Sequence, residues 1–481
     1  MKPRFLPLLV PLFAAAAAHA AAPNLLANPE IESDLSGWMG QGGSISRIAL
    51  DVFGREDSGS AQLIASLGGS VTLYQCVPVA AGTHLDFGAW VEIPSFQEVS
   101  GSAIVKLEWW SDPDCAGSLL DVPVETATVS AVGAWTYAAM RDVTPPEGTH
   151  SAKLRAMSQP AATGFIVYFD SLFAAPAGAL FVPGVGDLVV ADGSKKIVKV
   201  EHETGVQRLI TSGIYFARPT GVAIDVAGKI WVVQPVGEPL VMVDPATGGQ
   251  EPPVTTGAAL SAPRDIDVAY DGSIWIAGSG LWELAMPAGT VALRKSLASP
   301  AYGMNTDPNL QMGGATATVN LALGDAGLAD YDVASGDLTP VAGTPTAQGR
   351  YDYGVWMPND SSTRVFTEIE PIAPSSCNAA ASGVLAIDGG PPSLDDHFRC
   401  PRGLGVGDPD APGYVSDASA FTGSTEGQIL TIDRDGNQQL VTRSGFLVDP
   451  WDVEVVPEPG GVLGAIAAAG ALALARAFSR A

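Results

Sequence analysis

The 481-residue chain reads as an all-β protein, an antiparallel β-sandwich followed by a six-bladed β-propeller whose C-terminal strand closes the first blade. Two patterns predict it. The N-terminal third alternates apolar and polar residues with period two, and the rest repeats one strand-rich unit about every 40 to 50 residues, the spacing of a four-stranded blade. The 55 glycines and 37 prolines suit many turns rather than long helices.

From Asn24 to about Phe173 the chain reads as short strands separated by Gly, Pro and Ser clusters. His84 to Glu92 places Leu85, Phe87, Ala89 and Val91 on a core face, and Asp86, Gly88, Trp90 and Glu92 on a face expected to meet water. Ile104 to Trp110 turns Val105, Leu107 and Trp109 inward and Lys106, Glu108 and Trp110 outward; Phe165 to Phe169 gives another strand. Trp38, Trp109 and Trp135 are expected in the core. A short Ala/Pro/Gly linker is expected around Ala174 to Gly178.

Beyond it, Pro219-Thr220-Gly221-Val222, Pro263-Arg264-Asp265-Ile266, Pro401-Arg402-Gly403-Leu404 and Pro450-Trp451-Asp452-Val453 are versions of one start signal. Degenerate copies occur at Ala301-Tyr302-Gly303-Met304 and Tyr351-Asp352-Tyr353-Gly354-Val355. The unit from Gly186 to Val200 lacks an opening strand, while Pro450 to Val456 is an opening strand without a unit, so joining them closes a ring without exposed edges. Blade five carries an insertion, Pro371 to Cys400, which holds Asp395-Asp396-His397. Asp433-Arg434-Asp435-Gly436 reads as a hairpin turn, because it lacks the distal Glu of a calcium loop.

Composition and termini bound the function. With 51 acidic against 25 basic residues, the net charge of −26 argues against nucleic acid or anionic lipid as partner. Lys2 and Arg4, an apolar stretch to Ala18 and the small-x-small triplet Ala18-His19-Ala20 predict a signal peptide over residues 1–20. The other end carries Pro457, Glu458 and Pro459, then an apolar run from Val462 to Ala475 and the basic Arg476 and Arg480. That run is about 21 Å long as a helix, short of a bilayer core of about 30 Å.

In that order these parts resemble the PEP-CTERM sorting signal, over 457–481. The resemblance implies an exosortase-like processing enzyme as partner, transient anchoring of the hydrophobic segment in the inner membrane, and a destination at the surface or in the extracellular matrix of a Gram-negative bacterium. In an oxidising compartment the four cysteines are expected to pair locally, Cys76 with Cys115 and Cys377 with Cys400.

Residues 21–175 resemble carbohydrate-binding-module jelly rolls of the galactose-binding-like type. The opening Asn24-Leu25-Leu26-Ala27-Asn28-Pro29-Glu30-Ile31-Glu32 with Gly37-Trp38, and the closing Val167-Tyr168-Phe169-Asp170-Ser171, carry the likeness. It implies a structural calcium where the first and last strands meet, with Glu32 and Asp170 in the matching positions; the other reading is that both bond backbone groups at strand ends. Sugar recognition needs flat apolar faces beside hydrogen-bonding groups. Trp90 and Trp110 with Asp86, Glu108 and Arg155 are the candidates, the alternative being that loops or the next domain cover the rings.

Residues 179–456 resemble NHL-like and gluconolactonase-like six-bladed propellers. That likeness implies a divalent ion such as calcium in the channel, held by Asp265, Asp267, Asn305, Asp307, Asp452 and Glu454 on the opening strands. The same acids also suit turn and backbone bonding. No HExxH, GxSxG or Walker loop is present. The expected function is binding of extracellular polysaccharide or another glycan. The alternatives are a metal-dependent hydrolase or lyase using the channel, and a structural matrix scaffold.

Overall fold

The computed structural model describes residues 24–456 apart from 67–68, 226, 252–258, 270–271, 286–288, 307–317, 324–325, 342–350, 357–364, 370–383, 388–392, 395–400, 406–412, 419–425 and 433–437. Both terminal signals, Asp307, Cys377, Cys400, Asp395-Asp396-His397 and the 433–436 turn therefore lie outside the described residues. Of the stretch read as an insertion, only the backbone strands Val384–Ile387 and Ser393–Leu394, which belong to the fifth blade, are described.

The N-terminal strands are β1 (Met39–Gln41), β2 (Ser44–Ile48), β3 (Ser60–Ile64), β4 (Val71–Pro78), β5 (Leu85–Glu92), β6 (Gly101–Trp110), β7 (Val124–Glu125), β8 (Thr136–Val143), β9 (Ser151–Pro160) and β10 (Ile166–Pro176). They form two five-stranded antiparallel sheets, β1-β4-β9-β6-β7 and β2-β3-β10-β5-β8. Their inner faces share one core in which Leu85, Phe87, Ala89 and Val91 meet Val105, Leu107 and Trp109, as period-two alternation requires. The disulfide Cys76–Cys115 forms as expected and ties β4 to the loop after β6. The segment read as a linker at Ala174 is strand, because β10 continues through it along β5.

Six four-stranded sheets follow. Strand Pro450–Val455 pairs antiparallel with Leu188–Asp192, so the last strand completes the first blade. The opening strands meet one another around the ring. Their start signal has a steric logic. A Cβ at Gly221 would lie 2.7 Å from the Asp265 Cα, and one at Gly403 would lie 2.5 Å from the Asp452 Cα. Glycine therefore stands where the neighbouring blade's aspartate backbone presses closest.

The other sandwich face is where the expectation of water fails. Trp90 is only 4% exposed, in one apolar cluster with Val52 and Phe53 and with Leu188, Val198, Phe446 and Val453 of the propeller. Its ring lies 4.6 Å from Phe446 and 5.3 Å from Tyr137. The propeller thus acts as a third layer on β2-β3-β10-β5-β8, and an outward face covered by a second domain becomes core.

Polar groups fix the docking. Arg208 donates to Ser171 Oγ at 3.0 Å and pairs with Glu30 at 3.4 Å. Arg55 bridges Glu30 and Asp51 and donates to the Thr204 carbonyl at 2.7 Å. Arg141 donates to the carbonyls of Ile210 and Ala246 and lies 3.8 Å over the Phe181 ring.

Truncating Trp90 to Ala should empty this seam and cost about 3–5 kcal/mol. Chemical denaturation should show a large fall in midpoint for Trp90→Ala, and a change under about 1 kcal/mol for the half-buried Trp110→Ala.

Candidate functional site

Among the described residues the propeller packs on β2-β3-β10-β5-β8 and not on the outer face of β1-β4-β9-β6-β7. Cross-strand register builds this face in rows. Tyr74, Arg155 and Lys106 are successive partners in one row, and Cys76, Lys153 and Glu108 in the next. Trp110 lies at the end of β6, paired with Ser151. Lys153 Nζ sits 4.3 Å from the Trp110 ring centroid and 5.5 Å from that of Tyr74, bridging two aromatic rings. Arg155 donates to the buried Glu108 carboxylate at 2.6 Å, and Lys106 pairs with Glu125. The disulfide holds the loop beside Trp110, where Cys115 N bonds Ser151 Oγ.

Trp110, Glu108 and Arg155 are therefore brought together on one accessible face. Trp90 and Asp86 are not part of it. Asp86 is 1% exposed on the covered sheet, and its carboxylate accepts from Asp142 N and Gly178 N. Tyr74 and Lys153 escaped the sequence reading, although the alternation within Val71–Pro78 would have set Tyr74 outward. Trp135, expected in the core, is half-buried at the rim of the seam.

The positions matched to calcium do not converge. Asn28 and Ile31 both adopt positive φ, 49° each, so the chain twists between Glu30 and Glu32. Glu30 turns into the seam and Glu32 outward. Asp170 is fully buried, its two oxygens accepting from Val52 N and Ser171 N. The acids near it, Glu30 and Asp51, are neutralised by Arg55 and Arg208. Guanidinium groups stand where a calcium shell would need further oxygens, so this group of residues does not fit the ion.

The channel acids have a structural task. Asp452 accepts from Val222 N, Asp265 from Met304 N and Asp267 from Thr306 N, each on the next blade's opening strand. They satisfy edge N–H groups that the blade's own ladder leaves unpaired. Asn305 is half-buried on the strand Gly303–Thr306, paired in register with Asn320. Glu454 lies half-buried near Asp267, Asp452 and Asp265; burial first, then those acids, hold its carboxyl well above the usual range. Burial likewise raises Asp265, and pushes Asp452 up to about 7. Asp265 and Asp452 also face each other, and the Asp452 charge adds to burial in raising Asp265. Among the described residues no three His, Cys, Asp or Glu side chains are arranged to hold a metal ion.

No protein-family model and no curated protein matches this chain. Solved structures that resemble parts of it include TmCBM61 in complex with β-1,4-galactotriose, 17% identical over 32% of this chain and 99% of that one, with a TM-score of 0.25. A streptogramin B lyase is 16% identical over 48% of this chain and 70% of its own, with a TM-score of 0.34. The enzymatically active domain of bacteriophage CBA120 tailspike protein 4 is 14% identical over 32% of this chain, with a TM-score of 0.26; only 21% of that structure is spanned. These likenesses assign no activity to this chain.

A carboxyl with a raised pKa keeps its proton in the fold while the unfolded chain has lost it. Its stabilising contribution is complete below about pH 4, and is lost as pH rises through about 7. The thermal unfolding midpoint of the wild type should therefore fall as pH rises through this window relative to that of Asp452→Asn, which cannot titrate; parallel pH profiles would refute the role of Asp452.

Proposed function

We propose that this chain is an exported glycan-binding protein whose sandwich holds saccharide chains on the open face of β1-β4-β9-β6-β7. The observation that carries the reading is the juxtaposition of Trp110 and Tyr74 around Lys153, with the Glu108–Arg155 pair in the adjoining rows. Ring faces of this kind stack on the apolar faces of pyranoses, and the flanking Arg and Lys donate to hydroxyl oxygens. The free face is one of only two that a sandwich has, and the other is spent on the propeller. A polymer can lie along such a face without entering a closed pocket, which suits extracellular polysaccharide as the ligand.

Three features of the chain support its working outside the cytoplasm: the N-terminal signal-like segment, the Pro457-Glu458-Pro459 tail, and a disulfide within the sandwich. In this reading an exosortase-like enzyme processes the tail, and the hydrophobic segment anchors the chain only until then. No helix among the described residues is long and apolar enough to cross a membrane.

Glycan-array binding of the region between the two sorting segments tests the proposal. Selective binding is expected, weakened about fivefold or more by Trp110→Ala and by Tyr74→Ala, since a stacking contact on one aromatic ring is worth on the order of 1 kcal/mol. A wild type that binds no glycan, or binding indifferent to both substitutions, would refute it.

A further inference from the structure

The seam between the two domains is incompletely filled, and the gap has the makings of a second site. Trp90 pairs in register with Tyr137, and Val91 with Thr136. One step further along the same two strands stand Glu92 and Trp135, and Glu92 shares the side of β5 that bears Trp90. The propeller's Phe446 closes over Trp90 and Tyr137. It stops short of Glu92 and Trp135, which remain half-buried. The result is a cleft of about 430 Å³, walled on the propeller side by Glu426 and Arg443. This lies within the range of about 300–1,000 Å³ over which small-molecule sites fall, and domain boundaries are common places for them.

The chemistry of the walls selects the ligand. Asp51 also borders the cleft, but it is spent: its oxygens accept from Phe53 N, Arg55 N and the Arg55 guanidinium. Glu426 accepts from Ser444 Oγ. Glu92 differs. Burial raises its pKa with no cation to offset it, and among the described residues it has no ion-pair partner. Arg443 is anchored by its backbone, whose N–H donates to the Phe53 carbonyl at 3.1 Å, and its side chain lies over Gly54, where a Cβ would come within 2.2 Å of Nε.

From these walls we infer that the interdomain cleft binds a short neutral saccharide, the Trp135 ring stacking on a pyranose, Glu92 accepting its hydroxyl protons and Arg443 donating to its oxygens. Anionic ligands are disfavoured by the surrounding acids and the net charge of −26. A hydroxyl-rich ligand satisfies a lone carboxylate without demanding a full counter-charge, and presents the flat apolar face that an indole matches. The site is separate from the open sheet face and does not depend on it. With both in use, one chain would hold two stretches of glycan at once.

Isothermal titration calorimetry of the full chain with neutral hexose trisaccharides of gluco, galacto and manno configuration, one at a time, tests the inference. At least one should bind in a way that Trp135→Ala and Glu92→Gln each weaken about tenfold or more, as loss of a charge-assisted hydrogen bond would. Trp135→Phe should restore most of that binding, and Trp110→Ala should leave it intact. Binding that Trp110→Ala abolishes while both cleft variants retain it would overturn the cleft and keep the sheet-face site. Binding lost only in the cleft variants would support the cleft, and the sheet face would still be decided by the glycan-array test with Trp110→Ala and Tyr74→Ala. No heat with any of the trisaccharides would overturn the cleft.

Discussion

The burial of Trp90 between Tyr137 of the sandwich and Phe446 of the propeller is the contact on which the rest of the architecture depends. It makes one apolar cluster out of two domains. The ion pairs around it follow from that burial, since a guanidinium taken out of water must be matched: Arg208 finds Glu30, and Arg55 finds Glu30 and Asp51. The seam also carries a cost. Trp90 Nε1, Tyr137 Oη and Arg208 Nε are buried without a hydrogen-bond partner among the described residues, so apolar contact rather than polar pairing must supply the net stabilisation.

Docking of this kind divides the sandwich into a face that holds the propeller and a face that is free. On the covered sheet, Asp86 and Asp170 are turned to backbone N–H groups and Trp90 to apolar contact. On the free sheet, Trp110, Tyr74 and Lys153 keep access to solvent, and Glu108 and Arg155 stay paired beside them. Residue types that looked equivalent in the two strands thus have different roles, decided by which sheet the propeller occupies. The propeller channel follows the same economy, with its acids bonding the opening strand of the next blade.

Much of this was legible in the chain itself. Period-two alternation identifies inward residues such as Phe87 and Trp109, and the complementary half-units at Gly186 and Pro450 reveal how the ring closes. The local pairing of Cys76 with Cys115 was readable for the same reason, because both lie in one domain. What alternation cannot say is what lies against an outward face, and so Trp90 and Trp110 were indistinguishable. Nor can it foresee that Ile31 adopts a positive φ, which puts Glu30 rather than Glu32 beside Asp170. Trp135 sits where the propeller's cover ends, a boundary set by the docking of whole domains rather than by any local pattern.

Hydroxyl-radical footprinting of the intact chain, read residue by residue by mass spectrometry, tests the central claim most directly. The account predicts that Trp90 is protected while Tyr74 and Trp110 are labelled. Labelling of Trp90 at a rate comparable to that of Trp110 would contradict it, because the propeller would then not cover the sheet that carries Trp90.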